Sequence, residues 1–194
     1  MLTVVVPTIP GRESLLSRCL HSITGQGDVA VLVVAGDGRL GDKVVAAAEN
    51  VSTEYMTVVD DDDYLDGGYL AAVLPELGPV DYVGFRFVEL NCGRFENITS
   101  SAAGNNLWGR RQRGPVPKGV TRTSIFQAVG FGNDYHADRK WMTAARQHII
   151  TSAFIDRALY VHDWWPDTST FGAVGVPRDV GEWPHGPVDG MTVN

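Results

Sequence analysis

The sequence is poor in several features that would place it quickly in a class of protein. Its two cysteines, Cys19 and Cys92, lie far apart and fit no metal-ligand spacing, so we interpret both as free thiols in a reducing compartment. No apolar run is long enough to cross a bilayer, and no signal peptide precedes the first predicted strand, which favours a cytoplasmic protein. The net charge of −7 argues against a protein built mainly to coat nucleic acid.

Glycine-rich phosphate-binding loops are also missing. The segment after the first predicted strand contains neither G-x-G-x-x-G nor G-x-x-x-x-G-K-[ST], which excludes a dinucleotide-binding fingerprint and a P-loop. What the chain does have is 194 residues with 44% hydrophobic content, which is enough for one domain with a sizeable core.

The first part of the chain alternates between two hydrophobic periods. Apolar, β-branched runs typical of buried strands alternate with segments whose apolar residues recur every three to four positions, which is typical of helices. We predict buried strands at Leu2–Val6, Val29–Ala35 and Tyr55–Val59, with helices between Arg12 and Gly25 and at Asp42–Asn50. This alternation predicts the α/β class, with right-handed crossovers and a mostly parallel, Rossmann-like central sheet flanked by helices.

The second half of the chain has a weaker period. We predict a helix at Gly67–Leu77, a strand at Asp81–Leu90, a strand or short helix at 119–131, a helix from Asn133 or Asp134 to Gln147, and a last strand at Ala158–Val161. Residues 91–119 show no steady period and are predicted as a long loop. Residues 1–172 are therefore predicted as a single domain, with 173–194 as an irregular Gly- and Pro-rich tail packed on it.

The third predicted strand runs directly into four aspartates, Asp60 to Asp63. Ligands collect at the carboxyl ends of strands in open α/β sheets, so these side chains are well placed for chemistry. Four adjacent carboxylates repel one another and are expected to be neutralised by a cation, for which a hard divalent ion with oxygen ligands is the natural candidate. The alternative is a solvated acidic turn.

The ends of the three strands resemble those of the family-2 nucleotide-sugar glycosyltransferases. In that family the first strand runs into a Pro-Thr-x-x-Arg segment, matched here by Pro7-Thr8 with Arg12 displaced by one position. The second strand ends in an Asp-Gly pair, matched by Asp37-Gly38, and the third ends in Asp-x-Asp-Asp, matched by Asp60–Asp63.

The resemblance continues more weakly over roughly residues 2 to 172. The first helix of the family ends near Ser-x-x-x-Gln, matched by Ser22 and Gln26. A later helix opens with an acidic pair, of which this chain keeps Asp138 but has Ala137 in place of the glutamate. A histidine near the last strand often completes the metal site, and His162 stands at a suitable position.

The resemblance implies a GT-A fold and transfer of a sugar from a nucleoside-diphosphate donor, most commonly a UDP-sugar, to an acceptor hydroxyl. A divalent ion, Mn²⁺ or Mg²⁺, would stabilise the diphosphate leaving group. It implies that Asp62 binds the metal and that His162 completes the metal site. The residues expected to bind the donor, or to support the metal through water, are Thr8, Arg12, Asp37, Asp60 and Asp61.

Such a transfer also needs a general base, because the acceptor hydroxyl must lose its proton as it attacks. We predict that Asp138 is the catalytic base. Asp134 is the reserve candidate, because it lies four residues earlier and would share a helical face with Asp138. Attack opposite the leaving diphosphate would invert the anomeric carbon.

Simpler structural roles remain open for several of these residues. Asp37 lies in an Asp-Gly pair, which is common in turns, and Arg12 stands at the start of a helix. Asp138 has basic neighbours on its predicted helix, with which it would form ordinary surface ion pairs. His162 stands close to two tryptophans, as satisfied core histidines often do.

Alternatives also remain open for the whole chain. The basic stretch from Arg110 to Arg122 is interpreted either as a lid over the donor diphosphate or as a contact for a polyanionic acceptor, such as nucleic acid with modified bases. The competing functions are a non-catalytic domain that binds a divalent cation or nucleotide, and a sugar nucleotidyltransferase. The latter would show a Gly-rich loop with Arg and Lys after the first strand, whereas Pro7–Arg12 has one glycine and no lysine.

Overall fold

The first part of the chain folds into the strand–helix alternation that its hydrophobic pattern predicts. The structure is a computed structural model, and it describes residues 1–91, 93–101, 112–133 and 137–164. The first five elements are β1 at Leu2–Pro7, α1 at Glu13–Thr24, β2 at Ala30–Val34, α2 at Leu40–Asn50 and β3 at Tyr55–Val58. Each lies close to its predicted bounds.

The second part of the chain contains more strands than its pattern predicts. The elements are β4 at Tyr64–Leu65, α3 at Tyr69–Val73, β5 at Tyr82–Asn91, β6 at Arg94–Ser101, β7 at Gln112–Arg113, β8 at Val120–Arg122, α4 at Thr123–Val129, α5 at Ala137–Ala145 and β9 at Ser152–Trp164. One 3₁₀ turn, Leu74–Glu76, follows α3, so the predicted helix at Gly67–Leu77 is shorter and tighter at its end.

The nine strands of the described residues belong to one sheet. The order β2-β1-β3-β8-β5-β6-β7 runs across it, and β9 pairs with both β4 and β5. Parallel pairs join β1 to β2, β1 to β3, β5 to β9 and β6 to β7, and they contain most of the paired residues. The prediction of an α/β fold with a mostly parallel central sheet is therefore confirmed.

Two predictions about strands are wrong in detail. The second strand was expected to be buried, but β2 lies at the edge of the sheet and its residues are exposed or half-buried. Part of the predicted loop at 91–119 forms β6, which pairs with β5 in an antiparallel hairpin. The pattern missed β6 because its sequence, RFENITSS, has few apolar residues to reveal a strand period.

The last strand is also longer than predicted. It was expected at Ala158–Val161, but β9 begins at Ser152 and ends at Trp164. The residues of its first half are exposed or half-buried, so they lack the continuous apolar run that marks a buried strand. The pairing of β9 with β5 shifts register around Arg86, between the more exposed first half of β9 and its more buried second half.

Two apolar layers cover the two faces of β1. Leu2, Val4 and Val6 pack in one layer with Cys19 and Ile23 of α1. Val5 points to the other side, where it packs with α2, α4 and α5. Because both faces of this central strand are buried, its sequence is a continuous apolar run and lacks alternation.

Some expectations fall on residues that the structure does not describe. The predicted tail at 173–194, Cys92, and Arg110 and Arg111 of the basic stretch are among them. Among the helices in the described ranges, none combines the length and the hydrophobicity that a membrane span requires.

Candidate active site

The carboxyl ends of β1, β2 and β3 meet at one edge of the sheet. The Thr8 amide donates to the carbonyl of Val34 at 3.0 Å, and the Val59 amide donates to the carbonyl of Val5 at 2.9 Å. These backbone bonds continue the parallel pairing past the last residues of the strands. The loops that begin at Thr8 and Asp60 are thereby held side by side, as the alternating pattern predicts.

Asp61 links these two loops through its side chain. Its carboxylate accepts hydrogen bonds from the Thr8 hydroxyl at 2.7 Å and from the Arg12 guanidinium at 2.5 Å. Burial raises the pKa of Asp61, and the contacts with Thr8 and Arg12 partly oppose that rise. Three residues that were predicted to bind the donor are therefore brought together, with Asp61 turned toward Thr8 and Arg12.

The other three aspartates form a compact cluster, hereafter the acid cluster. Asp60, Asp62 and Asp63 each offer a carboxylate oxygen, and these oxygens lie within 4.8 Å of one another. Burial and the charges of Asp63 and Asp60 raise the pKa of Asp62 to about 7, although the Arg12 guanidinium, 3.7 Å away, opposes this rise. A set of crowded carboxylate oxygens suits a hard divalent cation.

Asp63 is the most deeply buried member of the acid cluster. Its side chain is 0% exposed, yet Lys118, the Tyr160 hydroxyl and the Asp163 amide donate to its carboxylate at 2.8, 2.5 and 3.1 Å. Burial alone would raise the pKa of Asp63, but Lys118 and His162 lower it overall. Asp63 is therefore a charged group satisfied by the chain itself.

Lys118 is the principal residue that sequence reasoning did not assign to the site. Its ammonium also forms an ion pair with Asp60 and lies 3.2 Å from the Tyr160 hydroxyl. Burial lowers the pKa of Lys118, but Asp60 and Asp63 raise it by more, well above its usual range. The sequence assigns this lysine only to a basic stretch, because nothing local reveals which acid it faces.

The position of Lys118 follows from strand pairing. The Val58 amide donates to the carbonyl of Pro117, and the Thr57 hydroxyl donates to that of Lys118 at 3.0 Å. The segment before β8 thus continues along β3 toward the acid cluster. This arrangement brings the lysine side chain to the end of the strand that carries the aspartates.

Strand β4 positions β9 beside the acid cluster in the same way, through strand pairing. Tyr64, directly after the acid run, pairs with Val161, and Leu65 pairs with Tyr160. This antiparallel pairing brings Tyr160, His162 and Asp163 beside Asp63. A two-residue strand is too short to be predicted from its period, so these partners were not foreseen together.

The first helix and the turn that follows it anchor the segment after the acid run. Ser22 accepts a hydrogen bond from the Leu65 amide at 3.1 Å, and Gln26 donates to the carbonyl of Asp66 at 2.7 Å. The side-chain oxygen of Gln26 also accepts from the Leu70 amide at 3.0 Å. The Ser-x-x-x-Gln spacing therefore has a structural role, which is to anchor the chain that leaves the acid cluster.

A buried ion pair joins the same helix to β9. Arg18 lies 3.3 Å from the carboxylate of Asp163, whose other oxygen accepts from the Gly93 amide at 3.1 Å. Arg18 also donates to the carbonyl of Asp62 and lies over the ring of Tyr64. Asp163 is 1% exposed, so these partners take the place of the water that its carboxylate would otherwise contact.

Replacing Asp163 with alanine is expected to lower the free energy of unfolding by about 3–5 kcal/mol, because it leaves the Arg18 guanidinium without its buried counterion. Urea unfolding measures this change. A matched control lies on the same strand, where Asp156 forms an exposed pair with Arg86, and Asp156→Ala is expected to cost about 1 kcal/mol or less. Equal effects of the two substitutions would contradict this role for Asp163.

The remaining predicted site residues lie around the acid cluster. Asp37 is exposed beyond the end of β2, and its charge acts on Lys43. Asp138 is exposed in the first turn of α5, and its charge contributes to the raised pKa of Lys118. His162 is half-buried on β9, and its charge lowers the pKa of Asp63. The reserve base Asp134 lies outside the described residues.

Lys43 is a second residue that the sequence did not assign. It lies on the inner face of α2, where its ammonium donates to the carbonyl of Thr8 at 2.6 Å, and it is 7% exposed. Burial lowers the pKa of Lys43, against the charges of Asp61 and Asp37. Its signal was a charged residue within the apolar stripe of a helix, which is unusual unless the charge has a partner.

The basic stretch is partly committed to pairs within the chain. Lys118 contacts Asp60 and Asp63, while Arg122 pairs with Asp81 at 3.0 Å and also with Glu54. A phosphate chain could engage these two cations only after their pairs were broken. The side chains of the other basic residues in this stretch lie outside the described part of the chain.

Comparisons with known proteins bear on the fold. Neither a protein-family model nor a curated protein matches the sequence. Solved structures do match: residues 1–349 of S. aureus TarS have a TM-score of 0.62 at 15% identity, over 84% of this chain and 60% of that one. The mannosyltransferase PcManGT from Pyrobaculum calidifontis has a TM-score of 0.54 at 14% identity, over 83% of this chain and 56% of that one.

Some of these matching structures contain ligands. TarS 1–349 was solved with UDP-GlcNAc and with UDP, and PcManGT with GDP-Man and Mn²⁺. This chain spans about 60% of the length of the TarS fragment. At these levels of identity the likeness concerns architecture, and the architecture is that of the GT-A glycosyltransferases.

Proposed function

We propose that this chain is a metal-dependent, inverting glycosyltransferase that moves a sugar from a nucleoside-diphosphate donor, a UDP-sugar, to an acceptor hydroxyl. The observation that carries the proposal is the acid cluster at the carboxyl edge of a GT-A sheet. The ligands of the matching structures support it, since TarS was solved with UDP-GlcNAc and PcManGT with GDP-Man and Mn²⁺.

The acid cluster fits a divalent metal by its chemistry. Its three aspartates supply only oxygen ligands, and burial together with their mutual repulsion raises the pKa of Asp62, which a bound cation would offset. We propose Asp62 as the principal ligand, with His162 completing the site. A bound Mn²⁺ or Mg²⁺ would neutralise charge that develops on the diphosphate as the sugar leaves.

The donor is proposed to bind across the ends of β1, β2 and β3. Asp37 beyond β2 would accept hydrogen bonds from the base or ribose, and Asp60 would bind the ribose or support the metal. Arg12, already 3.7 Å from Asp62, supplies positive charge beside the proposed diphosphate position. Thr8 and Asp61 hold Arg12 in that place through the contact at 2.5 Å between Arg12 and Asp61.

Asp138 is proposed as the general base. It is exposed at the start of α5, and its charge reaches Lys118 beside the acid cluster. We expect Asp138→Asn to lower kcat by about 10²–10⁴-fold, because an amide cannot accept the acceptor's proton. The dissociation constant of the donor should stay unchanged, as calorimetry would reveal.

Two comparisons sharpen that experiment. Glu49→Gln, which removes an exposed acid from the last turn of α2, should leave kcat unchanged. Asp134→Asn tests the reserve candidate: a loss of kcat there, with Asp138→Asn active, would move the base to Asp134. Inversion itself is read from the anomeric configuration of the product by NMR.

Calorimetry with a panel of nucleoside diphosphates and sugar nucleotides, with and without Mn²⁺, tests the proposed function as a whole. Metal-dependent binding of one nucleotide is the expected result, and it identifies the donor class. A non-catalytic cation-binding domain would instead bind the metal with no nucleotide preference. A sugar nucleotidyltransferase would bind a nucleoside triphosphate in preference to any nucleotide sugar.

A further inference from the structure

We propose that Lys118 is a built-in counter-cation of the acid cluster and that it competes with the divalent ion for Asp60 and Asp63. Binding of a metal to these two carboxylates would require the lysine ammonium to leave them. This inference rests on the metal site of the proposed function, which it deepens by naming the residue that controls access to the site.

The contacts of Lys118 carry this inference. Its ammonium forms ion pairs with Asp60 and with Asp63, the latter at 2.8 Å. Both are among the three acids that approach closely enough to share one ion. A divalent ion bound to the same oxygens would stand within a few ångströms of the ammonium, where like charges repel strongly.

The surroundings hold the lysine in this position. Its side chain is 14% exposed, its ammonium lies 3.2 Å from the Tyr160 hydroxyl, and it stands 5.1 Å from the centre of the Tyr160 ring. Tyr160 also donates to Asp63 at 2.5 Å, so lysine and tyrosine share one carboxylate oxygen. The acid cluster therefore folds with a monovalent cation that belongs to the chain.

The two sides of the cluster differ in accessibility. Asp63 is 0% exposed, and its carboxylate already accepts hydrogen bonds from Lys118, Tyr160 and the Asp163 amide. Asp60 is 29% exposed and Asp62 is 19% exposed. An incoming ion thus meets Asp60 and Asp62 first, and it gains the third carboxylate only by displacing the ammonium.

Lysine acetylation of the wild-type protein provides the direct test. Acetic anhydride labelling, quantified by mass spectrometry across a Mn²⁺ titration without nucleotide, should find Lys118 protected at first and increasingly labelled as Mn²⁺ binds. Lys140, which is exposed on α5, is the internal reference and should be labelled equally throughout. Labelling of Lys118 that does not change with Mn²⁺ would overturn the proposal.

A substitution provides the second test. We expect Lys118→Met to bind Mn²⁺ more tightly than wild type by about one to three powers of ten, the effect that a charge at hydrogen-bond distance has on an ionic equilibrium. Lys118→Arg keeps the charge and should bind Mn²⁺ no more tightly than wild type. Equal or weaker Mn²⁺ binding by Lys118→Met, with circular dichroism unchanged, would refute the competition.

These tests are separable from those of the proposed function. Displacement of Lys118 by Mn²⁺, with no nucleotide bound under any condition, would support the competition and contradict the proposed transferase function. Metal-dependent nucleotide binding with constant Lys118 labelling would support the transferase and remove the competition.

Discussion

Replacing Asp62 with alanine is expected to weaken Mn²⁺-dependent binding of the donor nucleotide at least about a hundredfold, or about 2.7 kcal/mol. Asp62 is the member of the acid cluster proposed as principal metal ligand, and its carboxylate lies closest to solvent after that of Asp60. Without it, the remaining oxygens are those of Asp60 and Asp63, which Lys118 already contacts. Calorimetry with a UDP-sugar and Mn²⁺ measures the change.

The matched control is Asp28→Ala, which removes an exposed acid from the turn between α1 and β2 and should leave donor binding unchanged. Retained binding in Asp62→Ala would keep the fold and move the metal to another aspartate. Absence of nucleotide binding by the wild type under every metal condition would instead remove the glycosyltransferase and leave the acid cluster as a simple cation site.

The stability of the metal-free protein is expected to fall as the pH rises from about 4 to about 7, by about 2–4 kcal/mol from Asp62 alone. The pKa of this carboxyl is about 7 in the folded chain, against 3.8 for an ordinary aspartate. Between these values the unfolded chain releases the proton while the folded chain retains it, so rising pH favours unfolding. The effect is complete above about pH 7 and absent below about pH 4.

Urea unfolding in the presence of a chelator, at about pH 5 and about pH 8, measures this effect. Asp62→Asn cannot ionise at this position, so the stability difference between wild type and variant isolates Asp62, and the variant should be favoured at the higher pH. Asp63 does not interfere, because its pKa lies below 3.8 and its contribution is lost only in more acidic solution. Parallel pH profiles for the two proteins would contradict the raised pKa.

The sequence predicts best the strands that are buried on both faces and the helices that carry one apolar stripe. Strand β1 is a continuous apolar run, which is typical of a buried strand. Helix α1 carries Leu15, Cys19 and Ile23 on one face, so its apolar residues show the helical period. Strand β2 has the same composition as a buried strand but lies at an edge. Its position depends on which strands pair, and a local pattern does not contain that information.

The residues of the candidate site also divide into those that a local sequence pattern predicts and those that it does not. The acids at its centre were predictable, because a buried strand that runs into aspartates marks the carboxyl edge of a sheet. Their partners were not predictable, because Lys118 is placed by contacts of its segment with β3, and Tyr160 is placed by the pairing of β9 with β4. The pairing of Asp61 with Thr8 is a third case, since both residues were expected at the site but their contact depends on side-chain direction.

The long sequence separation of these partners has a consequence for synthesis of the chain. Asp63 meets Lys118, Tyr160 and the Asp163 amide across 55, 97 and 100 residues. A ribosome that adds about 5–20 residues per second would expose Asp63 for roughly 5–20 s before all three had been made. Because its carboxylate must stay hydrated until they arrive, this end of the sheet closes last, and a nascent chain acquires a finished site only after β9 has emerged.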